Sequence, residues 1–533
     1  SAEKYFAAHS DGFPYRLGVC IDGWALTFLY KSAGEITREP VFDYLPSTLA
    51  YDITTPKSAL ILGAGGGIDV IAGLRRGLSE ITAVEINPAT MKLGLELASF
   101  DGDIFRRPGV EPVVAEGRSY VTAAGARRWD LIQLSGVDTL AASQAGAFTL
   151  AESYLYTQQA FESYLRHLSS GGILTLTRWM SDPPKQTLRV ITVADAALRS
   201  LGVKNTRDHI LLITDAQRAF SVFAISRSPF SRAQSQRVLE VARAKGFIPL
   251  ALPHHTLEAA PNVYEQLIAT PDKAAFIDGY PFDISVTTDD KPFFFEHTRW
   301  KNAWKYPDRI FDKFNGHLIL IATTVVVALL GVLFLLLPAR YGLANVADPS
   351  RARSVLTYFA GLGLGYVLVE MVLVQKLTLY LGNPAFALAI VLCGMLLFSG
   401  VGSLLSVRLA KRGVRGAAYA AAAVAACLIA YRIGLDPSLR ATLAWPLPAR
   451  ITLALSLLAL PATVMGLPFP SAVRALADAD PQLIVRGWIV NGYCSVLGSC
   501  LAMILSISVG FSAVLVSAAL LYAAAAVFLA RRA

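Results

Sequence analysis

A loop of four glycines is the feature of this chain whose residue types and spacing point most directly to chemistry. Residues 59–70 read ALILGAGGGIDV, an apolar run that breaks into glycines at 63–67 and then resumes with a helical rhythm. Glycines at such a turn accept positive φ angles and allow a ligand to approach the backbone where any Cβ would block it. Glu85 ends the next apolar run, about twenty residues on, where a carboxylate can accept hydrogen bonds from both hydroxyls of a ribose. The pattern predicts a nucleoside site.

The spacing of the glycines distinguishes between two kinds of cofactor. The order GxGxG is typical of methyltransferase-type nucleoside sites, whereas the dinucleotide fingerprint GxGxxG needs a third glycine further into the helix. We therefore expect a thionucleoside, and a nicotinamide cofactor remains the alternative.

Alternating strands and helices must hold this loop in place. Apolar runs typical of strands alternate here with helical patterns of about ten residues. The predicted strands are 59–62, 81–86, 110–115, 129–135 and 171–179, and the predicted helices are 68–77, 88–100 and 156–168. This alternation predicts a parallel sheet covered on both faces, an α/β Rossmann-like domain of the methyltransferase type. Before it, residues 12–55 alternate apolar and polar in short runs and predict a small antiparallel β layer.

The last two-fifths of the chain have the composition of a membrane domain. The 533 residues are 54% hydrophobic and 16% charged, with a mean hydropathy of +0.48. Beyond residue 315 come apolar stretches of about 20 residues, each long enough to cross the roughly 30 Å of hydrocarbon in a bilayer. The seven predicted spans lie near 317–338, 354–375, 384–407, 416–433, 448–469, 487–507 and 511–530. The predicted domains are a β layer at 1–55, an α/β domain at 56–315 and an all-α polytopic membrane domain at 316–533.

The distribution of charge and the spacing of the cysteines limit the kinds of partner and of metal or disulfide site that the sequence allows. The net charge of +9 is spread through the loops between apolar segments, which fits membrane topology and argues against a nucleic-acid groove. We therefore expect a lipid bilayer and no nucleic acid as partner, and the five cysteines show no disulfide or zinc spacing. The basic loop at 408–415, RLAKRGVR, predicts that its side of a bacterial-type inner membrane is cytoplasmic. The α/β domain would then lie on the side of the membrane away from the cell's nucleoside cofactors. Because this conflicts with the predicted nucleoside site, the sequence does not decide on which side of the membrane the domain lies.

Several stretches, taken together, resemble the spermidine synthase family in its membrane-fused branch. Over residues 12–230 they read YRLGVCIDGWALTF, ALILGAGGGIDV, AVEINP, VVAEGRSYV, WDLIQLSGVDT and LYTQQAFESYLRHLSSGGILTLTRW. The resemblance implies that the glycine loop lies beside S-adenosylmethionine or its decarboxylated form, that Glu85 holds the ribose, and that residues 116–117 lie near the adenine. The predicted cofactor-binding residues are Gly63, Gly65, Gly66, Gly67, Asp69, Glu85, Glu116 and Gly117.

The chain departs from this family where the acceptor should react. In aminopropyltransferases the strand that corresponds to DLIQLSGVDT ends in a carboxylate for the reacting amine, and a second carboxylate follows three residues later. Those positions here are Ser135 and Asp138, the two catalytic candidates. A serine with no nearby histidine in the sequence is a poor base for an ammonium group. The glutamine expected after 22–23 is absent, and 44–46 read YLP in place of Tyr-His-Glu, so spermidine is not the expected product.

A carboxylate lies in the middle of the second predicted span. Glu370 is expensive at that depth unless it is paired or faces a polar cavity, so we expect it to face the interior of the bundle. Asn491 and Gln375 are its candidate companions in a polar site within the membrane.

The sequence is compatible with three functions. The first is transfer of an alkyl group from a thionucleoside to an unidentified acceptor. The second is a catalytically inactive binding or assembly subunit of a membrane protein complex, and the third is a transporter with a regulatory soluble domain.

Overall fold

A computed structural model gives the fold of most of the chain. It describes residues 14–21, 25–32, 35–136, 152–255, 257, 262–299, 316–336, 348–477 and 480–531. The chain divides into two units, 1–316 and 317–533, and each is described by itself.

The first unit is built from strands and helices that alternate along much of its length. Its strands are β1 (Arg16–Ile21), β2 (Ala25–Tyr30), β3 (Ser58–Leu62), β4 (Glu80–Glu85), β5 (Val110–Val114), β6 (Trp129–Ser135), β7 (Leu168–Trp179), β8 (Ile210–Thr214), β9 (Phe220–Ile225) and β10 (Ile248–Ala251). Its helices are α1 (Leu49–Ile53), α2 (Ile68–Arg75), α3 (Pro88–Glu96), α4 (Ala98–Asp101), α5 (Gly117–Ala123), α6 (Gln158–Arg166), α7 (Gln186–Ser200), α8 (Arg232–Lys245), α9 (Val263–Ala269) and α10 (Lys273–Gly279).

Eight of these strands form one mixed sheet in the order β10-β8-β9-β7-β6-β3-β4-β5. The five strands from β7 to β5 in this order are parallel, while β9, β8 and β10 extend the sheet in antiparallel fashion. The strand order reverses at β3, which pairs with β4 on one side and β6 on the other. In open α/β sheets ligands bind at the carboxyl ends of the strands at such a reversal. The predicted Rossmann-like, methyltransferase-type fold is confirmed.

The central strands are buried on both faces, as parallel strands must be when helices cover each side. Leu60 and Leu62 of β3 belong to one buried apolar cluster, and Ala59 and Ile61 belong to the cluster on the opposite face. The polar residues at the ends of these strands therefore lie outside the buried core, where the loops begin.

The two edge strands of this sheet each carry a proline. Pro112 lies in β5 opposite Ala83 of β4, and Pro249 lies in β10 opposite Ile213 of β8. A proline has no N–H to donate to a strand ladder and is tolerated at sheet edges.

The N-terminal β layer is smaller than the sequence predicts. Strands β1 and β2 pair as an antiparallel hairpin, but residues 36–53 form three 3-10 turns and the short helix α1. The prediction of β structure was wrong there because Pro40 and Pro46 each begin a turn, with φ already fixed and no N–H for a ladder. Residues 22–24, between the two strands in the sequence, lie outside the described part of the chain.

The hairpin lies directly against the glycine loop. The N–H of Gly66 donates a hydrogen bond to the Thr27 hydroxyl at 2.7 Å. A Cβ added to Gly66 would lie 2.0 Å from the carbonyl oxygen of Phe28. Glycine is therefore required at this position by the close approach of β2.

The second unit is helical. Its helices are α11 (Gly316–Gly331, continued as a π-helix over Val332–Leu336), α12 (Pro349–Leu381), α13 (Pro384–Ala410), α14 (Gly413–Ala441), α15 (Leu447–Met465), α16 (Pro468–Leu476), α17 (Pro481–Val509) and α18 (Phe511–Ala530). Six helices of the described chain are long and apolar enough to cross a membrane, with α15 and α16 counted together. The predicted span at 317–338 corresponds to α11, whose described apolar part, Ile319–Phe334, is shorter.

Replacement of Gly66 by alanine tests the contact between the hairpin and the loop. We expect Gly66→Ala to displace β2 and to cost about 1–3 kcal/mol, the usual range for an overpacked site. The lowered unfolding temperature and faster proteolysis at the hairpin would both report this. Gly279→Ala is the matched control, because nothing described lies within 4 Å of a Cβ built there. Equal behaviour of the two variants would contradict the contact.

Candidate functional site

The glycine loop crosses from the end of β3 onto the end of β4. The N–H groups of Gly63 and Ala64 both donate to the carbonyl oxygen of Val84, at 2.8 and 3.0 Å. Gly63, Gly65 and Gly67 have φ angles of 77°, 50° and 88°, in the left-handed region that favours glycine. The predicted conformational role of these glycines is thus visible in the backbone.

Glu85 is held at the end of β4 by two backbone donors. Its Oε2 accepts the N–H of Gly65 at 2.9 Å, and its Oε1 accepts the N–H of Asn87 at 2.9 Å. The side chain is only 6% exposed. Each carboxylate oxygen has two lone pairs, so one acceptor position remains on each oxygen. The structure therefore brings together Gly65 and Glu85, two of the residues predicted for the site.

Two exposed apolar side chains lie beside Glu85. Ile86 and Val114 are each 52% exposed, and Val114 ends β5 directly opposite Glu85 in the parallel register. Large apolar side chains that point into solvent at the end of a sheet offer a surface for a flat apolar ligand group.

Glu116 and Gly117 follow β5 at the same edge of the sheet. Glu116 caps helix α5, because its carboxylate accepts the N–H groups of Arg118 and Ser119 at 2.9 and 2.7 Å. Gly117 is the first residue of that helix.

Asp69 occupies a different environment from the other predicted cofactor residues. It lies in the first turn of α2, is 3% exposed, and accepts a hydrogen bond from the Ser47 hydroxyl at 3.1 Å. The side chains of Ser135 and Gln133 also hydrogen-bond to its carboxylate. The structure thus joins a predicted cofactor residue to a predicted catalytic one.

Burial sets the charge state of Asp69. It raises the pKa of this carboxyl to about 6, against the hydrogen bonds from Ser135, Ser47 and Gln133, which favour the charged form. Buried carboxylates with a raised pKa occur often at functional sites.

A second polar group, absent from the sequence-based prediction, surrounds the buried Arg118. Its guanidinium pairs with the Asp289 carboxylate at 3.0 Å, and Thr157 donates to the same carboxylate at 2.6 Å. Burial raises the pKa of nearby Glu152 to about 7. Burial also raises the pKa of Tyr154, and the negative charges of Glu152 and Asp289 raise it further. Asp289 lies 171 residues from Arg118, so no local pattern pointed to the pair.

The other catalytic candidate, Asp138, lies outside the described residues.

The three polar residues predicted within the membrane lie on two helices, Glu370 and Gln375 on α12 and Asn491 on α17. Glu370 is half-buried on α12. Asn491 donates to the carbonyl oxygen of Phe359 at 3.0 Å, which is eleven residues, or about 16 Å of helix, away from Glu370. Gln375 is half-buried and also lies on α12.

An ion pair in the helical unit was not anticipated. The ammonium group of Lys376 on α12 lies 2.8 Å from the carboxylate of Asp436 on α14. The two residues follow the predicted spans at 354–375 and 416–433, and the sequence pattern gave no reason to pair them.

Comparison with known proteins yields similarities of fold. No family model and no curated protein matches the chain. Among solved structures, a probable spermidine synthase from Corynebacterium glutamicum ATCC 13032 is 17% identical, with a TM-score of 0.31, over 44% of this chain and 80% of that chain. The spermidine synthase of Thermotoga maritima is 15% identical, with a TM-score of 0.28, over 47% and 78%. Human methyltransferase-like protein 13, solved in complex with SAH, is 16% identical, with a TM-score of 0.27, over 38% and 88%. Identities this low say nothing about activity.

The raised pKa of Asp69 predicts how its replacement changes stability. Since the folded pKa lies above the unfolded value, the folded state binds the extra proton between about pH 4 and 6, and stability falls as pH rises through 6. Asp69→Asn should therefore stabilise the protein above pH 6, by up to about 3 kcal/mol, and flatten the pH dependence. Thermal unfolding in detergent at pH 5 and pH 8 measures this. A variant less stable than the wild type at pH 8 would show that the hydrogen bonds of the carboxylate outweigh its burial.

Proposed function

We propose that the α/β unit binds an adenine thionucleoside, S-adenosylmethionine or its decarboxylated form, and transfers an alkyl group from it to an acceptor other than putrescine. The observation that carries this proposal is the Glu85 carboxylate, fixed at the end of β4 by the N–H groups of Gly65 and Asn87. A carboxylate with one free acceptor position on each oxygen suits the paired hydroxyls of a ribose.

The neighbouring side chains suit the remaining parts of such a ligand. Ile86 and Val114 offer an apolar surface beside the ribose position, where a purine ring can pack. Strands β4 and β6 lie on either side of β3, so their tips are two strand spacings, or about 10 Å, apart. A thionucleoside lying across the end of β3 with its ribose at Glu85 would direct its sulfonium group towards Ser135.

The proposed reaction is a displacement at carbon. The acceptor forms a bond to the alkyl carbon, the carbon–sulfur bond breaks, and its electron pair neutralises the sulfonium. The acceptor must lose a proton in the process, which requires a proton-accepting group at this edge of the sheet. We place this activity on a chain anchored in a bacterial-type inner membrane by its apolar helices.

Calorimetry with S-adenosylmethionine, its decarboxylated form and methylthioadenosine tests the binding site. We expect Glu85→Gln to weaken binding by about 10- to 100-fold, because hydrogen bonds to a charged group are lost. Glu80→Gln is the matched control, since Glu80 begins the same strand at its other end and pairs with Arg127 on the surface. Equal losses in both variants, or none in either, would remove Glu85 from the site.

The contact between β2 and the glycine loop favours a second candidate function. Thr27 and the backbone of Phe28 already occupy the approach to Gly66. If the wild-type protein binds none of the three nucleosides, the domain is better described as a catalytically inactive binding or assembly subunit of a membrane complex.

The residue at the tip of β6 predicts that this chain does not make spermidine. An alkylamine is almost wholly protonated near neutral pH, so the reaction needs a carboxylate to hold the diamine and accept its proton. Ser135 stands where the family has that carboxylate, and loss of a general base commonly costs about 10²- to 10⁴-fold in rate. Purified protein incubated with decarboxylated S-adenosylmethionine and putrescine should form neither spermidine nor methylthioadenosine, with an active spermidine synthase as positive control. Robust spermidine formation that Asp138→Ala abolishes would refute the prediction.

A further inference from the structure

Five side chains form a buried hydrogen-bonded group at the carboxyl ends of β3 and β6. We call it the Asp69 network, and its members are Ser47, Tyr51, Asp69, Gln133 and Ser135. The members come from an N-terminal turn, from α1, from α2 and from β6. Gln133 is fully buried, whereas Ser135 at the tip of the strand is half-buried.

The donors and acceptors of this network fix the direction of each hydrogen bond. The Tyr51 hydroxyl donates to Oε1 of Gln133 at 3.0 Å, which sets the orientation of the amide. The Nε2 of Gln133 then donates to Oγ of Ser135 at 3.2 Å. Because Asp69 as a carboxylate can only accept, Ser135 directs its own hydrogen to Asp69. One lone pair on the Ser135 oxygen is left for a further donor.

Unused hydroxyls lie on the same face of the sheet. Thr175 pairs with Gln133 and Thr177 pairs with Ser135 in the parallel register of β6 and β7. Among the described residues, neither threonine hydroxyl has a hydrogen-bond partner, and both oxygens are buried. Buried polar groups without partners are rare in folded proteins, and they suit a site that a polar ligand completes.

We propose that Ser135 accepts the proton of the acceptor substrate and passes its own proton to Asp69. This inference rests on the proposed function and names the group that the transfer requires. As the acceptor X–H attacks the alkyl carbon, the X–H proton moves to the Ser135 oxygen, the Ser135 proton moves to the Asp69 carboxylate, and the carbon–sulfur electron pair stays on sulfur. Charge balances, because the sulfonium and the carboxylate are neutralised together.

The network also defines the class of acceptor. A serine hydroxyl has no charge with which to hold an ammonium ion, and it accepts a hydrogen bond from a neutral donor. The acceptor is therefore a neutral group, a hydroxyl or an unprotonated amine, whose hydrogen points at the Ser135 oxygen. Ser135 is the catalytic residue, and Asp69 is a positioning residue that acts through it.

The surroundings of Asp69 suit a proton acceptor that works near neutral pH. Its raised pKa keeps it ionised above about pH 6 and ready to take a proton. Tyr51 and Tyr30 are the titratable groups that interact with it, and burial raises the pKa of both, so they stay neutral. The charged Arg76 interacts with Tyr51 from the end of α2.

A fluorophosphonate ester tests the network without knowledge of the acceptor. It reacts when a serine oxygen forms a bond to phosphorus, fluoride leaves and the serine proton passes to a base. We expect Ser135 to be labelled faster than Ser169, as measured by peptide mass spectrometry of the full chain in detergent. Ser169 is the internal control, because it also donates to a carboxylate, that of Asp130 at 2.5 Å, but at the opposite edge of the sheet.

Variants of Asp69 and of its hydrogen-bond partner Ser47 distinguish a functional role of the Asp69 carboxylate from a structural one. Labelling of Ser135 should rise with pH around 6 in the wild type, and Asp69→Asn should lower it by about 10²-fold and abolish that pH dependence. Ser47→Ala removes a hydrogen bond that favours the ionised carboxylate, so it should move the midpoint to higher pH while the protein stays folded. Equal labelling of Ser135 and Ser169, or a rate unchanged in Asp69→Asn, would overturn the proposal.

Nucleoside binding and serine labelling, measured separately on the wild-type protein, distinguish this inference from the proposed function. Binding of S-adenosylmethionine is followed by calorimetry, and labelling of Ser135 is followed by peptide mass spectrometry on the same preparation. Loss of nucleoside binding in the wild type, with labelling of Ser135 retained, would reject the proposed cofactor and leave the activated serine standing. Binding with no activation of Ser135 would reject the network alone.

Discussion

The hydrogen bond from the Gly65 N–H to the Glu85 carboxylate is the contact that organises the carboxyl edge of the sheet. It connects the end of β3 to the end of β4, and the donation of Gly63 and Ala64 to Val84 strengthens the same connection. A charge-assisted bond of this kind is stronger than a neutral one, and burial increases its strength. These hydrogen bonds hold the backbone of the loop without help from a ligand, and a ligand that bound there would not have to order it.

The topology of the sheet divides this edge into two chemically different halves. On the β4 side of β3 lie a carboxylate with free acceptor positions and two apolar side chains, which can recognise a ligand. On the β6 side lies the Asp69 network, whose buried carboxylate is destabilised by its surroundings. Groups that recognise a ligand can be satisfied in the free protein, whereas a group that must take up a proton is held in an unfavourable state. The reversal of strand order at β3 places the two halves on either side of that strand, about two strand spacings apart.

Local patterns in the sequence predicted the parallel strands, the turn at the glycine loop and the position of Glu85 at the end of β4, because strand periodicity and turn chemistry depend on neighbouring residues. The same patterns were wrong at 36–53, where prolines redirected an apolar segment into 3-10 turns. They also could not show that Asp69 meets Ser135, since that contact depends on α2 and β6 packing together. The pairing of Arg118 with Asp289, separated by 171 residues, is a tertiary contact of the same kind. Side-chain partners of this sort become predictable only when the three-dimensional arrangement of strands is known.

The prolines at the edges of the eight-stranded sheet limit how this unit can associate with other proteins. An exposed edge strand normally offers a row of N–H and C=O groups on which a further strand can assemble. Pro112 and Pro249 interrupt that row at the centre of β5 and within the four residues of β10. Growth of the sheet by strand addition from a second chain is therefore disfavoured at both ends. Helices or loops of a partner protein would meet no such obstacle at these two edges, because their contacts do not depend on a continuous row of backbone donors.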